Sequence, residues 1–400
     1  MASPHPQRPP TTLLYVVAGV PLGIFAEVVP VFLRTSGMSL EHIGWFSAIN
    51  LPYSFKALLA PWVDRAGRLR RWLGALGLAL LLAYGALAWS ARAPAALPVA
   101  GALLAMTVAS ATYDIALDAT FVTALVGASA AEHGRANARR LSAFKAAMVA
   151  VASLGVVAGG RFGFAATFAG IAACHAAALA AVAWRRLPNA PAAASAGHWL
   201  RAFGDWLGRP GVARAFALAF FYKLSIASFL WMEKTFWLDR GVSLPRLGTA
   251  AALAGLCGTL AGANLGSRLA HRFGLLPLLH AGLGLQAGLG LGYWGLAALP
   301  PSDGWLSAGL LLSGLTFGLS TAALMNLVTR LCDPAHAATQ FAALTGCYGL
   351  ARSLGGLIAG RLAEALGYGR LFLCVAALVL PALALLPRTA SAFGPAERPA

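Results

Sequence analysis

The sequence predicts an all-α integral membrane protein of twelve transmembrane helices in two six-helix halves. Three observations predict it. Only 11% of the 400 residues are charged and 59% are hydrophobic, whereas soluble globular chains carry roughly 25% charged residues. So little charge cannot cover a water-facing surface. Apolar runs close to the ~20 residues that span a bilayer follow one another along the chain. A motif that follows the first run returns after the seventh, about half a chain later.

The runs fall at 12–33, 42–62, 71–91, 96–125, 140–160, 163–184, 212–232, 246–267, 275–298, 304–329, 338–360 and 367–387. Met1–Pro10 is polar and proline-rich. The run after it is too long for the core of a cleavable signal and lacks a small-residue exit, so we expect no cleavage. The second run carries Lys56 and breaks at Pro61. It ends in Asp64-Arg-Ala-Gly67 with Arg68, Arg70 and Arg71, a tight basic turn suited to a cytoplasmic hairpin. Arg185 to Arg214 is the longest polar stretch. It divides the chain into an N-terminal half 1–184, a cytoplasmic linker 185–211 and a C-terminal half 212–400.

The internal repeat supports two matching halves. Ser36-Gly-Met-Ser-Leu-Glu-His-Ile-Gly44 is similar to Arg240-Gly-Val-Ser-Leu-Pro-Arg-Leu-Gly248. Asp64-Arg-Ala-Gly67 has a weaker echo in His271-Arg-Phe-Gly274. With the N-terminus in the cytoplasm, eighteen arginines fall in cytoplasmic segments and seven outside. That excess puts both termini inside.

The net charge of +17 raises the question of nucleic acid. The arginines lie between apolar runs, so the charge reads as membrane topology and we expect no nucleic-acid partner. Cys174, Cys257, Cys332, Cys347 and Cys374 lie in or beside apolar runs without a C-x-x-C. Neither a disulfide nor a metal site is expected. No G-x-x-x-x-G-K loop points to ATP, and no H-E-x-x-H or Ser-His-Asp set points to an enzyme. Gly282-x-Gly284-x-x-Ala287 lies inside a run with no preceding strand, so it does not read as a dinucleotide fingerprint. We expect no cofactor.

Ionisable groups inside spans are costly and mark pathways or pairs. Asp114 and Asp118 are four apart and share a helix face. Lys56 falls at a similar depth to Asp118, and Lys145 is near the cytoplasmic start of span five. These groups, with Asp64 and Arg65, are expected to form a gate or a fixed ion network on the cytoplasmic side. Glu27, Asp114 and Asp118 are the candidate proton carriers, Glu27 first because of its depth. Arg352 and Lys223, near mid-depth, are expected to attract an anionic group. Tyr53 and Tyr348 join them as candidate substrate contacts, with Tyr15, Tyr222 and Trp231 as further cavity aromatics. Glu233 and Lys234 read as interfacial. Asn50, Asn264, Asn326 and Gln286 read as buried amides bonding between helices. Gly155, Gly159, Gly355, Gly356 and Gly360 read as close helix contacts.

Three patches carry a family resemblance. They are Gly19-Val-Pro-Leu-Gly23 with Leu51-Pro-Tyr-Ser-Phe-Lys56, then Tyr113-Asp-Ile-Ala-Leu-Asp-Ala119, and Thr339-Gln-Phe-Ala-Ala-Leu-Thr345. Together they resemble the major facilitator superfamily, within it the group of AmpG muropeptide permeases and acetyl-CoA transporters. Tyr113 stands where that group has glutamine. The twelve-span length and Pro30-Val-Phe-Leu-Arg34 are similar to related siderophore importers of the rhizobactin and pyochelin type. The resemblance implies two parallel six-helix repeats with the solute between them. It implies a proton-coupled secondary importer, a monomer, in a bacterial inner membrane. Its solute would be bulky and anionic, a muropeptide or a siderophore, with acyl-CoA and drugs also open. A receptor on the same fold and a membrane enzyme are the readings of another class.

Overall fold

The computed structural model describes residues 11–56, 59, 63, 69–124, 130–183, 204, 208, 211–331 and 337–390. Asp64, Arg65 and most of the linker 185–211 lie outside the described residues, as does Cys332. Among the described residues all regular structure is helical, with no strand. A bilayer leaves little alternative, because a helix satisfies its own backbone groups where no water can.

In chain order the helices are α1 (Thr11–Gly23), α2 (Val29–Thr35), α3 (Leu40–Phe46), α4 (Leu51–Ser54), α5 (Leu69–Ser90), α6 (Ala96–Ala124), α7 (Ala130–Phe162), α8 (Phe164–Ala183), α9 (Val212–Asp239), α10 (Leu244–Ala250), α11 (Leu256–Phe273), α12 (Leu275–Ala298), α13 (Asp303–Leu331), α14 (Ala337–Ala377) and α15 (Leu380–Ala390). A π-helical turn, Ile24–Val28, joins α1 to α2, and another, Ala251–Gly255, joins α10 to α11. Ten helical segments among the described residues are long and apolar enough to cross a membrane. The last, Gly346–Pro387, has 42 residues, about 63 Å if straight and twice the ~30 Å apolar core. It turns at Gly367, whose φ of 78° lies outside helical space. It therefore holds the eleventh and twelfth spans. The predicted second span, 42–62, is present as α3, a 3₁₀ turn and α4, and then leaves the described residues. The architecture is consistent with twelve spans.

The sequence repeat is a structural repeat. Gly37 and Gly241 take φ of 82° and 83°, a left-handed conformation that favours glycine. The amide of Met38 donates to Leu33 O and that of Val242 to Trp237 O, both at 3.1 Å. Ser39 and Ser243 then take the extended N-cap conformation of α3 and α10. A helix stop, a glycine turn and a serine start are thus written twice in the chain.

The chain forms two compact units: residues 1–28 with 58–195, and residues 29–57 with 196–400. In the first, α1 packs along α7, and α5 packs on α6 and α8. Gly19 and Gly23 sit against the α7 backbone at Phe144 and Met148, where a Cβ would collide. Gly155 and Gly159 of α7 are likewise filled by Val28 and Phe164.

In the second unit α11 packs on α13, while α9 and α14 pack together and take α2 beside α9 and α3 and α4 beside α14. Its core includes Leu218, Tyr222, Leu283, Leu319, Leu324 and Leu327. Gly258 and Gly262 meet the backbone of Leu311 and Leu315, and Gly314 and Gly318 meet Gly255 and Thr259. Helices that close leave no room for a side chain at the seam. Gly44 is as close to Gly356 and Gly360, which joins α3 to α14.

Candidate functional site

Among the described residues, four clusters of polar groups stand out inside this apolar protein. The first lies on α6 of the first unit. Asp118 accepts from Tyr15 Oη at 2.7 Å and Arg140 Nη1 at 3.1 Å. The Arg140 guanidinium also lies 4.5 Å from the Phe121 ring centroid and 5.6 Å from that of Tyr15. Flat aromatic faces hold the cation in place, and the cation and the phenol hold the carboxylate. Asp114, one turn earlier, is half-buried, and Lys145 is exposed on α7. Arg140 lies inside α7, which starts at Ala130, and stands two residues before the apolar stretch Ser142–Phe162 begins.

The second place is a cavity of about 30 Å³ in the second unit. Tyr222, Lys223, Ser320, Thr321, Met325 and Tyr348 line it. A water needs about 10–15 Å³ of such space, so the cavity as it stands suits water and not a bulky solute. The Lys223 ammonium lies 4.7 Å from the Phe317 ring centroid. Tyr348 Oη donates to Leu324 O at 3.3 Å. Behind the cavity Gln286 Nε2 donates to Ser320 Oγ at 3.1 Å, tying α12 to α13 as expected of a buried amide.

The third place lies deeper in the same unit. Glu233 and Lys234 are 4% and 6% exposed, so both are enclosed by protein. Depth along α9 was read from the sequence, but not which way each side chain faces. Tyr293 Oη donates to Glu233 Oε1 at 2.6 Å and accepts from Trp237 Nε1 at 3.3 Å. Phe229 and Phe372 pack their rings on Tyr293 at 4.7 and 5.2 Å between centroids.

The fourth place is the repeated turn itself. Arg34 grips Asp239 with two parallel bonds, Nε to Oδ1 at 2.6 Å and Nη2 to Oδ2 at 2.7 Å. Its third nitrogen, Nη1, donates to Met38 O at 3.0 Å. Tyr368 Oη donates to Asp239 Oδ2 at 2.7 Å. Nearby, the Leu40 amide donates to Glu364 Oε2 at 2.8 Å, and Arg361 lies 3.4 Å from Glu41. This tie joins α2, α9 and α14. Neither Asp239 nor Tyr368 drew notice in the sequence, although Arg34 and Asp239 stand just before the two copies of the repeated turn.

A geometry of membrane-spanning helices, repeated turns and charge clusters inside the spans narrows the comparison. The Major Facilitator Superfamily profile matches residues 11–356. The chain belongs to this superfamily. As a superfamily member it is a multi-pass membrane transporter of small solutes, not an enzyme. It is 28% identical to the anhydromuropeptide permease of Escherichia coli K12 over 395 residues, 95% of this chain and 79% of that protein. It superposes on a bacterial homolog of the human lysosomal transporter Spinster, crystallised inward-facing and unoccupied. That match has a TM-score of 0.72, with 16% identity and 96% of both chains covered. A POT family transporter bound to 5-aminolevulinic acid gives a TM-score of 0.75 with 12% identity and 96% of both chains covered.

Glu27 lies half-buried in the π-helical turn Ile24–Val28 that packs on α7. Tyr53 is on α4, and the Lys56 ammonium lies 5.6 Å from its ring centroid. Arg352 is half-buried on α14. Asp64 and Arg65 lie outside the described residues. Two of the expected buried amides are corrected: Asn326 is half-buried and donates to Ala322 O of its own helix at 2.9 Å. Asn264 is exposed and donates to Leu260 O of its own helix at 2.8 Å, because α11 turns that face away from α13.

Proposed function

We propose that the chain is a proton-coupled importer of muropeptides in a bacterial inner membrane. The similarity to the anhydromuropeptide permease across 95% of the chain carries this reading. The polar groups agree with it. Lys223 lies among the hydroxyls of Tyr222, Ser320, Thr321 and Tyr348, and Arg352 stands on neighbouring α14. The space beside Lys223 is water-sized in this structure, so a solute would meet Lys223 and Arg352 only after the helices part; a guanidinium then offers paired donors to a carboxylate. Glu27, Asp114 and Asp118 are the carboxylates for proton movement, and Tyr53 is a further substrate contact. The chain works as a monomer with both termini in the cytoplasm. Residues 185–211 link two six-helix halves, 1–184 and 212–400.

A thermal melt of the purified protein with anhydromuropeptides, ferric siderophores and acyl-CoA, at acid and neutral pH, tests the reading. Only a ligand that binds the folded state raises the midpoint. We expect a rise with anhydromuropeptide alone, lost in Arg352→Ala. A rise with a ferric siderophore instead would transfer the assignment to that class.

A further inference from the structure

Between α10 and α13 the second unit carries an open cleft of about 420 Å³, within the ~300–1,000 Å³ of ligand pockets. Its origin is local. On one side of it α11 and α13 meet backbone to backbone. A Cβ on Gly314 would strike Gly255 O, and one on Gly258 would strike Leu311 O. That seam stops at Gly255, the last residue of the π-helical turn Ala251–Gly255. Toward the other side, nearer Gly241, a side-chain pair bridges the two helices: Arg246 and Asp303. The cleft is the wedge between the glycine seam and this ion pair.

Polarity is graded along the wedge. Arg246 and Asp303 stand at its mouth, Thr249 and Ser307 follow, and Leu253 and Leu306 form its floor. Arg246 to Leu253 is about 10 Å of helix. Past the floor, exposed Leu260 of α11 and Leu311 of α13 continue the apolar surface. Both walls belong to helices that can cross a membrane, Leu244–Phe273 and Asp303–Val328, and the two charges lie in their first turns. Exposed Trp305 stands beside them, and tryptophan collects at the bilayer interface. The charged mouth therefore lies at headgroup level and the floor among acyl chains.

The mouth carries both signs of charge. Arg246 Nε donates to Asp303 Oδ1 at 3.1 Å, and Nη2 donates to the same oxygen. Among the described residues Arg246 Nη1 and Asp303 Oδ2 make no further bond, and the two side chains are 55% and 73% exposed. A donor for phosphate and an acceptor for ammonium thus sit side by side. A headgroup of net negative charge would satisfy Arg246 and be repelled by Asp303. A phosphate joined to a primary ammonium by an ethylene link answers both charges at once. A quaternary ammonium has no N–H to give the carboxylate.

We propose that this cleft binds one phosphatidylethanolamine molecule of the leaflet that meets the repeated turns. Its phosphate lies on Arg246 and its ammonium on Asp303. Its ester region lies beside Thr249 and Ser307, and an acyl chain runs over Leu253. The lipid wedges α10 against α13 where their backbones part. This site is separate from the solute pathway and holds whatever the solute or the coupling ion.

The full chain in phosphatidylglycerol liposomes tests the site. Each preparation carries a trace of one photoactivatable lipid: phosphatidylethanolamine, phosphatidylcholine or phosphatidylglycerol. Labelled peptides are mapped after illumination. We expect phosphatidylethanolamine to label residues 244–260 and 303–312 severalfold more than either other lipid. Arg246→Gln should lower that labelling about fivefold, the loss of one partly wet charged contact. Asp303→Asn should bring it down to the phosphatidylcholine level. Phosphatidylglycerol labelling that equals or exceeds that of phosphatidylethanolamine overturns the proposal and gives the cleft to anionic lipid. Equal labelling by all three lipids in the wild type overturns it too, because the cleft is then ordinary lipid-facing surface. Both of these outcomes are read without any variant having to fold. A preference that survives in folded Arg246→Gln and Asp303→Asn overturns the assigned contacts.

Discussion

Replacing Arg34 should loosen the tie between α2, α9 and α14 by a measurable amount. The guanidinium and the Asp239 carboxylate meet through two bonds of 2.6 and 2.7 Å, with side chains 28% and 23% exposed. Fully exposed ion pairs contribute about 0.2–1 kcal/mol. Hydrogen bonds to charged groups contribute about 1.5–3 kcal/mol when well formed. A forked pair with about a quarter of its surface still wet, discounted for solvent screening, should lie between these limits. We expect a coupling energy of about 1–2 kcal/mol. A double-mutant cycle of Arg34→Ala and Asp239→Ala, read by denaturant unfolding in mixed micelles, isolates the pair from the separate Tyr368 and Met38 bonds. Arg34→Lys keeps the charge but not the fork, so it should recover about half or less of the loss. A coupling energy under about 0.3 kcal/mol would refute the reasoning, because the pair would then behave as two solvated charges.

Two further outcomes follow from packing. Gly262→Val sets a side chain against the backbone of Leu315 and should force α11 from α13, costing about 1–3 kcal/mol. Size-exclusion monodispersity and melting would fall, whereas Gly288→Ala on α12, with open space at its Cβ, should change neither. Gln286→Leu removes the donor to Ser320 in a site where both are buried, and should cost about 1–3 kcal/mol in unfolding experiments. No loss would mean that water serves Ser320 instead.

The spans, the repeated turn and the helix-contact glycines were legible in the sequence. Hydropathy and glycine placement are local, and a bilayer turns local hydropathy directly into a helix. Gly37 and Gly241 reveal their turn because few other residues take that φ. Gly155 and Gly360 point to close contacts because a small residue inside a span has few other uses. The partners of each charge were much less legible. Asp118 takes Arg140, 22 positions away, and Tyr15, 103 positions away. Arg34 finds Asp239 across 205 positions.

The sequence by itself determined that this is a helical membrane protein, where its spans run, and that its halves share a pattern. Only the tertiary structure decided that Glu233 lies enclosed among aromatic rings and that Asn264 faces outward. The physical reason is that position in the chain sets depth along a span. Which side of a helix meets another is set by ridge and groove packing with helices distant in sequence. Burial and pairing depend on that second quantity.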